Sequence, residues 1–269
     1  MIWILAVAAL YLLVVLAFWV WQDRFMYFPG PPAGPPPAVR GLDLREEWIA
    51  TPDGERLHAW SVRPEGLGDR LGAVLVCHGN AGNIANRQLT AETFAEMGWE
   101  VLMFEYRGYG ASSGKPDEEG TYVDAVAAYD RLAADPAIDP KRIVAYGESL
   151  GGAVAIELAG RRPLAALVVE STFTSMPDIG AAVYPWIPVR LLARAHYDSV
   201  EKVRALKIPL LVIHSPQDDL IPFEQGQRLF AAAGEPKQFL ATSGRHNDWG
   251  FAQTAAWRSL VREFLARAG

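Results

Sequence analysis

The pattern of polar and apolar positions divides the chain at once. Ile2 to Trp21 is a run of twenty residues without a charge, which as a helix would span about 30 Å, the hydrocarbon thickness of a bilayer. Apolar on every face and placed at the terminus, it reads as a membrane anchor rather than a core helix. A cleaved signal peptide would carry a basic n-region, a shorter apolar stretch and a small-residue cleavage site, and the segment shows none of these. Trp19, Trp21, Phe25, Tyr27 and Phe28 gather at one end, as aromatic side chains do at a membrane interface. Arg24, Arg40 and Arg45 follow, interspersed with Asp23, Asp43, Glu46 and Glu47, so charge leans towards a cytoplasmic domain and leaves the side of the membrane open. Pro29 to Pro37 holds six prolines in nine residues, which predicts an extended, semi-rigid spacer that is neither helix nor strand.

Beyond the spacer the periodicity becomes that of a globular domain. Glu47 to Ala50 and Leu57 to Val62 flank Thr51-Pro52-Asp53-Gly54, a strand, turn, strand pattern. Ala73 to Cys77 is continuously apolar, as suits a central strand buried on both faces. A helix at Arg87 to Glu96, a strand at Glu100 to Glu105, a helix at Tyr122 to Ala134 and a strand at Ile143 to Tyr146 then alternate. That alternation predicts a mostly parallel, doubly wound sheet with helices on both faces. Further on come a helix through Leu158, a strand at Ala166 to Glu170, an irregular insert from Thr172 to Leu206 and a strand at Leu210 to His214. A helix at Glu224 to Ala233, a strand at Gln238 to Ala241 and a helix at Phe251 to Ala268 close the chain. The expected organisation is an anchor and interfacial segment at 1–28, a Pro-rich linker at 29–40 and one domain at 41–269, with 172–206 as a cap or lid. The insert carries Tyr184, Trp186 and Leu191, candidates to line a substrate pocket; an ordinary pair of capping helices would read the same way.

Composition narrows the function classes. A net charge of −6 and a pI near 5.4 disfavour a nucleic-acid partner, which needs a basic face. Cys77 is the single cysteine, so an internal disulfide and a cysteine-rich zinc site are excluded. No H-E-x-x-H pattern or carboxylate cluster suggests a metal. The Gly-rich turn Tyr106-Arg107-Gly108-Tyr109-Gly110 lacks a Walker lysine and opens no G-x-G-x-x-G helix, so no cofactor is expected and packing under the neighbouring turn is its expected role.

The chemistry centres on Gly147-Glu148-Ser149-Leu150-Gly151, which lies between the strand ending at Tyr146 and a helix. A G-x-S-x-G turn in that setting is a nucleophile elbow, which holds the serine in a strained conformation at a helix N-terminus. A serine hydroxyl is a poor nucleophile at neutral pH; it needs a base to take its proton and a carboxylate to orient that base. Asp218 and Asp219 follow the strand ending at His214, and His246 lies between the last strand and last helix. The order Ser149, Asp218, His246 is that of nucleophile, acid and base in an α/β-hydrolase. Asp218 is preferred because Asp218-x-x-Ile221-Pro222 places it in the turn before a helix, with Asp219 as a capping or solvated neighbour and Asp248 as a helix N-cap. His58 and His214 sit in or at the end of strands, where packing and hydrogen bonding are the expected roles, and His196 falls in the insert. An oxyanion would find donors in the main-chain N–H groups of Leu150, after the nucleophile, and Asn80, in the loop His78-Gly79-Asn80-Ala81-Gly82 after the central strand.

With these motifs in hand, the sequence resembles the membrane-anchored α/β-hydrolases that include the bud-emergence-related proteins and the mammalian α/β-hydrolase-domain serine hydrolases, and it is similar to serine aminopeptidase-like hydrolases. The resemblance runs through Gln22 to Pro29, His78 to Asn83, Tyr106 to Gly110, Gly147 to Gly152, Glu170 to Ser175 and His246 to Asp248. It implies the same triad on Ser149, Asp218 and His246. One departure is Ser215-Pro216, where relatives often carry Gly-Thr before the acid. The expectation is a membrane-anchored serine hydrolase acting through an acyl-enzyme on the ester or thioester of a small or lipid-like acyl substrate. The alternatives are an aminopeptidase-type enzyme and a catalytically dormant anchored scaffold; oligomeric state is left open.

Overall fold

A computed structural model describes residues 1–66, 71–248 and 254–268. The chain opens with α1 (Ile2–Trp21), passes through a short 3₁₀ turn and enters a two-residue strand, β1 (Phe28–Pro29). The domain proper runs β2 (Leu42–Ala50), β3 (Arg56–Pro64), β4 (Ala73–Cys77), β5 (Ala81–Gly82), α2 (Gln88–Glu96), β6 (Glu100–Phe104), α3 (Glu118–Ala133), β7 (Ile143–Glu148), α4 (Leu150–Arg161) and β8 (Ala166–Glu170). It continues through α5 (Met176–Val183), α6 (Val189–Leu192), α7 (Ser199–Val203), β9 (Leu210–His214), α8 (Phe223–Ala232), β10 (Lys237–Ala241) and α9 (Ala255–Ala268).

Eight strands form one sheet in the order β10-β9-β8-β7-β4-β6-β3-β2, parallel except where β3 pairs with β2 and with β6. The unbroken apolar runs of the inner strands follow from this topology, because helices cover both faces. Along β4, Leu75 and Cys77 join one core with α3 and α4, while Val74 and Val76 join the other with Phe94 of α2 and Trp257 of α9. Every parallel strand delivers its C-terminal end to the same edge of the sheet, and β4, β7, β8 and β9 there place Cys77, Glu148, Glu170 and His214 side by side.

Most predicted elements stand within a few residues of their expected bounds. α3 begins at Glu118 rather than Tyr122, because Asp117 accepts from the Gly120 N–H as an N-cap and the first turn carries no apolar residue to betray it. The irregular insert resolves into α5, α6 and α7, with Ser175 capping α5 at Asp178 N. α9 is described from Ala255, where Thr254 Oγ1 accepts from Trp257 N; the predicted start at Phe251 lies outside the described residues. Asp248, expected as that helix's cap, accepts from Arg245 N within its own loop.

Two readings of the N-terminal region change. The Pro-rich stretch is extended, yet it does not hold the anchor away from the domain. Phe28–Pro29 pairs in parallel with Ala81–Gly82, the Gly30 N–H donates to Gly82 O at 2.7 Å, Asn83 Nδ2 donates to Pro31 O at 2.8 Å, and Trp60 Nε1 donates to Gly34 O at 3.1 Å. Proline and glycine leave carbonyls free to accept, so the stretch is a strap laid along the domain. Tyr27, grouped above with interfacial aromatics, is buried within the domain, where its hydroxyl meets that of Tyr197 at 2.9 Å.

A buried ion pair organises the turn after β6. Arg107 donates through Nε and Nη2 to Asp124 Oδ1 at 3.0 and 2.8 Å, and through Nη1 to Asp53 Oδ2 at 2.7 Å. The Asp124 side chain is wholly buried and also accepts from the Arg107 N–H. Burial pushes the Asp124 carboxyl up to about 6 against the pull of Arg107. Removing one partner of such a pair leaves a buried charge uncompensated. Arg107→Met is expected to cost about 3–5 kcal/mol of unfolding free energy in urea, and pairing it with Asp124→Leu should return much of that loss. A single-variant cost below about 1 kcal/mol would show that the pair does not organise the turn.

Candidate active site

Ser149 sits between β7 and α4 with φ 54° and ψ −119°, a conformation that L-residues rarely adopt. Two glycines make the turn possible. A Cβ on Gly147 would overlap the Gly151 carbonyl, and one on Gly151 would overlap the Cys77 carbonyl at the end of β4. Their bareness lets α4 pack down onto the strand ends. The Ser149 N–H donates to Glu170 O at 2.9 Å and Thr172 Oγ1 donates to Ser149 O at 2.7 Å, so the strained residue is pinned on both sides.

The other two residues of the expected triad meet it. His246 Nε2 lies 3.1 Å from Ser149 Oγ, and its Nδ1 lies 2.8 Å from Asp218 Oδ2. The Asp218 side chain is fully buried and that of His246 is 6% exposed, which limits competition from water. Asp218 Oδ1 accepts from Leu220 N at 3.0 Å and Ile221 N at 2.8 Å, which is the physical content of the Asp218-x-x-Ile221 spacing. Burial pushes this carboxyl up, but hydrogen bonds from His214 and His246, the charge of His246 and the Ile221 N–H outweigh it, holding Asp218 well below the usual carboxylate range.

The loop after β4 lies against the elbow: a Cβ placed on Gly79 would sit 3.4 Å from Ser149 Cβ. Leu150 is the first residue of α4, so its N–H has no intrahelical acceptor. Three groups hold the loop carrying Asn80. Tyr106 hydroxyl donates to His78 O at 3.0 Å, Tyr109 hydroxyl donates to Asn80 O at 2.9 Å, and Glu105 Oε1 accepts from Ile84 N at 2.9 Å. The Tyr106 to Gly110 turn, expected to pack under the elbow, thus supports the loop that carries Asn80. Asn80 is also fixed from the segment that follows α1, with Nδ2 donating to Met26 O and its carbonyl accepting from Phe28 N, both at 2.9 Å.

Several contributing residues escape sequence reasoning. His214, expected only to pack, places Nε2 3.5 Å from Asp218 Oδ2 and 3.0 Å from Ile221 O. Gln217 Oε1 accepts from Gly244 N at 3.0 Å and Asp219 Oδ1 from His246 N at 3.2 Å, tying the acid loop to the loop that carries the base. Ser215, at the departure from the family pattern, takes the Gln217 N–H on its hydroxyl at 3.0 Å. Arg87, buried, pairs its Nε with Glu148 Oε2 at 2.9 Å beside the nucleophile. No motif flags these contacts, since each depends on loops distant in sequence. His58 is buried in β3 with Nε2 2.9 Å from Glu46 Oε1, as expected of a packing histidine, and His196 is exposed.

A polar cleft bordered by Arg87, Glu148, Glu170, Ser171, Arg245 and His246 opens beside the triad. The insert residues lie elsewhere. Tyr184 and Trp186 meet Phe18 of the anchor helix at ring-centroid distances of 5.0 and 5.6 Å, and Leu191 is 86% exposed. Among the described residues no group of acidic, histidine and cysteine side chains has the makings of a metal site. Glu170, at the floor of the cleft, accepts from Tyr146 hydroxyl at 2.8 Å and Trp257 Nε1 at 3.1 Å.

Comparison with known proteins agrees with this architecture. A model of the α/β-hydrolase fold matches residues 72–196. An uncharacterized protein of Mycobacterium tuberculosis is 42% identical over 255 residues, covering 94% of this chain and 90% of that one. The α/β-hydrolase domain-containing protein WAV2 of Arabidopsis thaliana is 32% identical, covering 91% and 88%. Protein bem46 of Schizosaccharomyces pombe is 28% identical, covering 94% and 89%. Among solved structures, the Pyrococcus furiosus esterase Pf2001 superposes with a TM-score of 0.73 at 22% identity, over 89% of this chain and all of that one.

The cleft floor makes a measurable prediction. Burial pushes Glu170 up to about 7 from 4.5, with Glu148 adding to the rise and the Tyr146, Trp257 and His214 contacts opposing it. The folded protein then holds a proton that the unfolded chain has released, so stability falls as pH rises from about 4.5 through 7. The loss amounts to about 3 kcal/mol at full ionisation. Glu170→Gln should remove this slope, so that its stability relative to the parent rises between pH 5 and pH 8 in denaturant titrations. Parallel curves would place Glu170's titration outside this range.

Proposed function

Since the chain belongs to the α/β-hydrolase family, we propose that it is a serine hydrolase, attached to a membrane by α1, that cleaves carboxylic esters or thioesters through an acyl-enzyme. The observation that carries this reading is the continuous line Asp218 to His246 to Ser149 at 2.8 and 3.1 Å, ending on a serine whose φ is 54°. His246 Nε2 takes the proton from Ser149 Oγ as the hydroxyl attacks the carbonyl carbon, and Asp218 holds the imidazole in the tautomer that can accept it. The N–H groups of Leu150 and Asn80 receive the oxyanion, each worth about 3 kcal/mol of transition-state stabilisation in such sites. His246 returns its proton to the leaving alcohol or thiol. Water enters, gives a proton to the same nitrogen and attacks the acyl-Ser149 ester, and the collapse of that second intermediate regenerates the free serine.

That the Pyrococcus furiosus protein of the same fold is an esterase agrees with the ester reading. Aminopeptidase chemistry would need an acidic group free to bind the substrate amine. Of the acids among the described residues bordering the cleft, Glu148 is paired with Arg87, Glu170 accepts from Tyr146 and Trp257, and Asp248 accepts the Arg245 N–H. The anchoring part rests on α1, Ile2–Trp21, which has no buried residue and is long enough to cross a bilayer.

Ser149→Ala is expected to lower kcat/KM on a short acyl ester by on the order of 10⁶-fold, and Asp218→Asn by about 10⁴-fold through the wrong His246 tautomer. A fluorophosphonate should label Ser149 in folded protein. Full turnover by the Ser149→Ala protein would refute the mechanism, and absent labelling would favour a dormant scaffold. Alkaline carbonate washing of membranes should leave the full chain in the pellet, whereas recovery in the supernatant would remove the anchor from the proposal.

A further inference from the structure

An apolar groove runs between the anchor and the insert. One wall is the end of α1 and the turn that follows, contributing Phe18, Phe25 and Met26; the other is the insert, contributing Met176, Tyr184 and Leu192. Its cavity volume is about 100 Å³, and it is open on one side. Aromatic packing shapes it: Phe18 stacks on Phe25 at 4.4 Å and meets Tyr184 edge-on at 5.0 Å. Polar contacts at its rim fix the two walls together, with Tyr11 hydroxyl donating to Trp186 O at 2.9 Å and the Arg194 N–H to Gln22 Oε1 at 2.8 Å.

We propose that this groove is the acyl-chain subsite of the candidate active site and that its occupant is the fatty acyl chain of a lipid ester entering from the bilayer. The inference rests on the serine-hydrolase reading above and adds to it the substrate class and the route of entry. Three observations support it. First, both walls start at the catalytic loops: Met26 O is bonded to the Asn80 side chain, and Met176 opens the helix reached within four residues of Thr172, which is bonded to Ser149 O. The Met26 end of the groove therefore lies one hydrogen bond from Asn80. Second, the groove is bounded by Phe18, in a helix none of whose residues is fully buried and which is long enough to span a bilayer, so it opens where lipid hydrocarbon would lie. Third, the outer surface of the insert beside the groove is apolar, with Val183 40%, Trp186 52% and Leu191 86% exposed. Trp186 and Leu191, expected above to line the pocket, are placed instead to rest on the membrane that supplies it.

An apolar groove confers selectivity by chain length, because each methylene it takes from water is worth about fourfold. The test uses the full chain in phosphatidylcholine vesicles with p-nitrophenyl esters from butyryl to dodecanoyl. The parent's kcat/KM should rise with chain length until the groove is full. Ala193→Trp, which places an indole in the groove, should lower the dodecanoyl-to-butyryl ratio at least tenfold, while Ala193→Ser should restore the parent profile. A profile for Ala193→Trp parallel to the parent's, or a parent with no preference for length, would overturn the proposal. Binding is read separately in Ser149→Ala protein with a diazirine-bearing dodecanoic acid, which should crosslink to the 18–26 and 176–195 segments. Crosslinking there without fluorophosphonate labelling of the parent would keep the groove and refute the hydrolase reading; labelling without crosslinking would do the reverse.

Discussion

The rest of the structure depends on how closely α4 can approach the end of β4. Gly151 meets the Cys77 carbonyl at a distance no side chain would permit, and Gly147 is pressed against Gly151 in the same way. Because the helix settles that far down, Ser149 is lifted into its strained conformation directly beside Gly79. The same contact thus sets both the exposure of the nucleophile and its distance from the loop that carries Asn80. Strain of this kind, on the order of 1–3 kcal/mol, persists only where surrounding bonds over-determine the backbone. Here the Glu170 carbonyl and the Thr172 hydroxyl supply those bonds.

The loop that carries Asn80 is held with equal care, and one of its supports comes from outside the domain's core. Tyr106, Tyr109 and Glu105 fix it from the sheet side, whereas Met26, Phe28 and Gly30 fix it from the end of the anchor. The segment that follows α1 and the candidate site therefore share hydrogen bonds. A helix attached through a free linker would have left the loop indifferent to it; the strap makes the position of α1 part of the geometry around Asn80.

Much of the sheet was legible because a strand covered by helices on both faces must be apolar throughout, and Ala73 to Cys77, Ala166 to Glu170 and Leu210 to His214 meet that requirement without ambiguity. Ser149, Asp218 and His246 were legible for a different reason: each follows a parallel strand, so topology alone brings them to one edge. What stayed hidden depends on contacts between segments far apart in the chain. Nothing local marks Gln217 as the partner of Gly244, or His214 as a neighbour of Asp218. The Pro-rich stretch misled because proline composition predicts an extended backbone and says nothing of which groups will bond to its carbonyls. Tyr27 misled because an aromatic next to a membrane span is usually interfacial, and only the fold supplies Tyr197 as its buried partner.

The carboxylates around the site show how donors, more than burial, decide which acid can orient a base. Glu170 and Asp218 are both largely shielded from water, yet burial lifts one to about 7 while the other is held well below its ordinary value. Glu170 receives its side-chain hydrogen bonds from a neutral hydroxyl and a neutral indole, and has Glu148 near it. Asp218 faces two imidazoles and accepts two backbone N–H groups on its other oxygen. In the proposed relay the acid must stay ionised while His246 gains a proton, which a carboxyl near 7 does only in part. Asp219 is exposed and bonded to the His246 main chain rather than to its ring. Of the three acids, only Asp218 combines permanent charge with a direct bond to the imidazole, and that combination is what separates the orienting carboxylate from its neighbours.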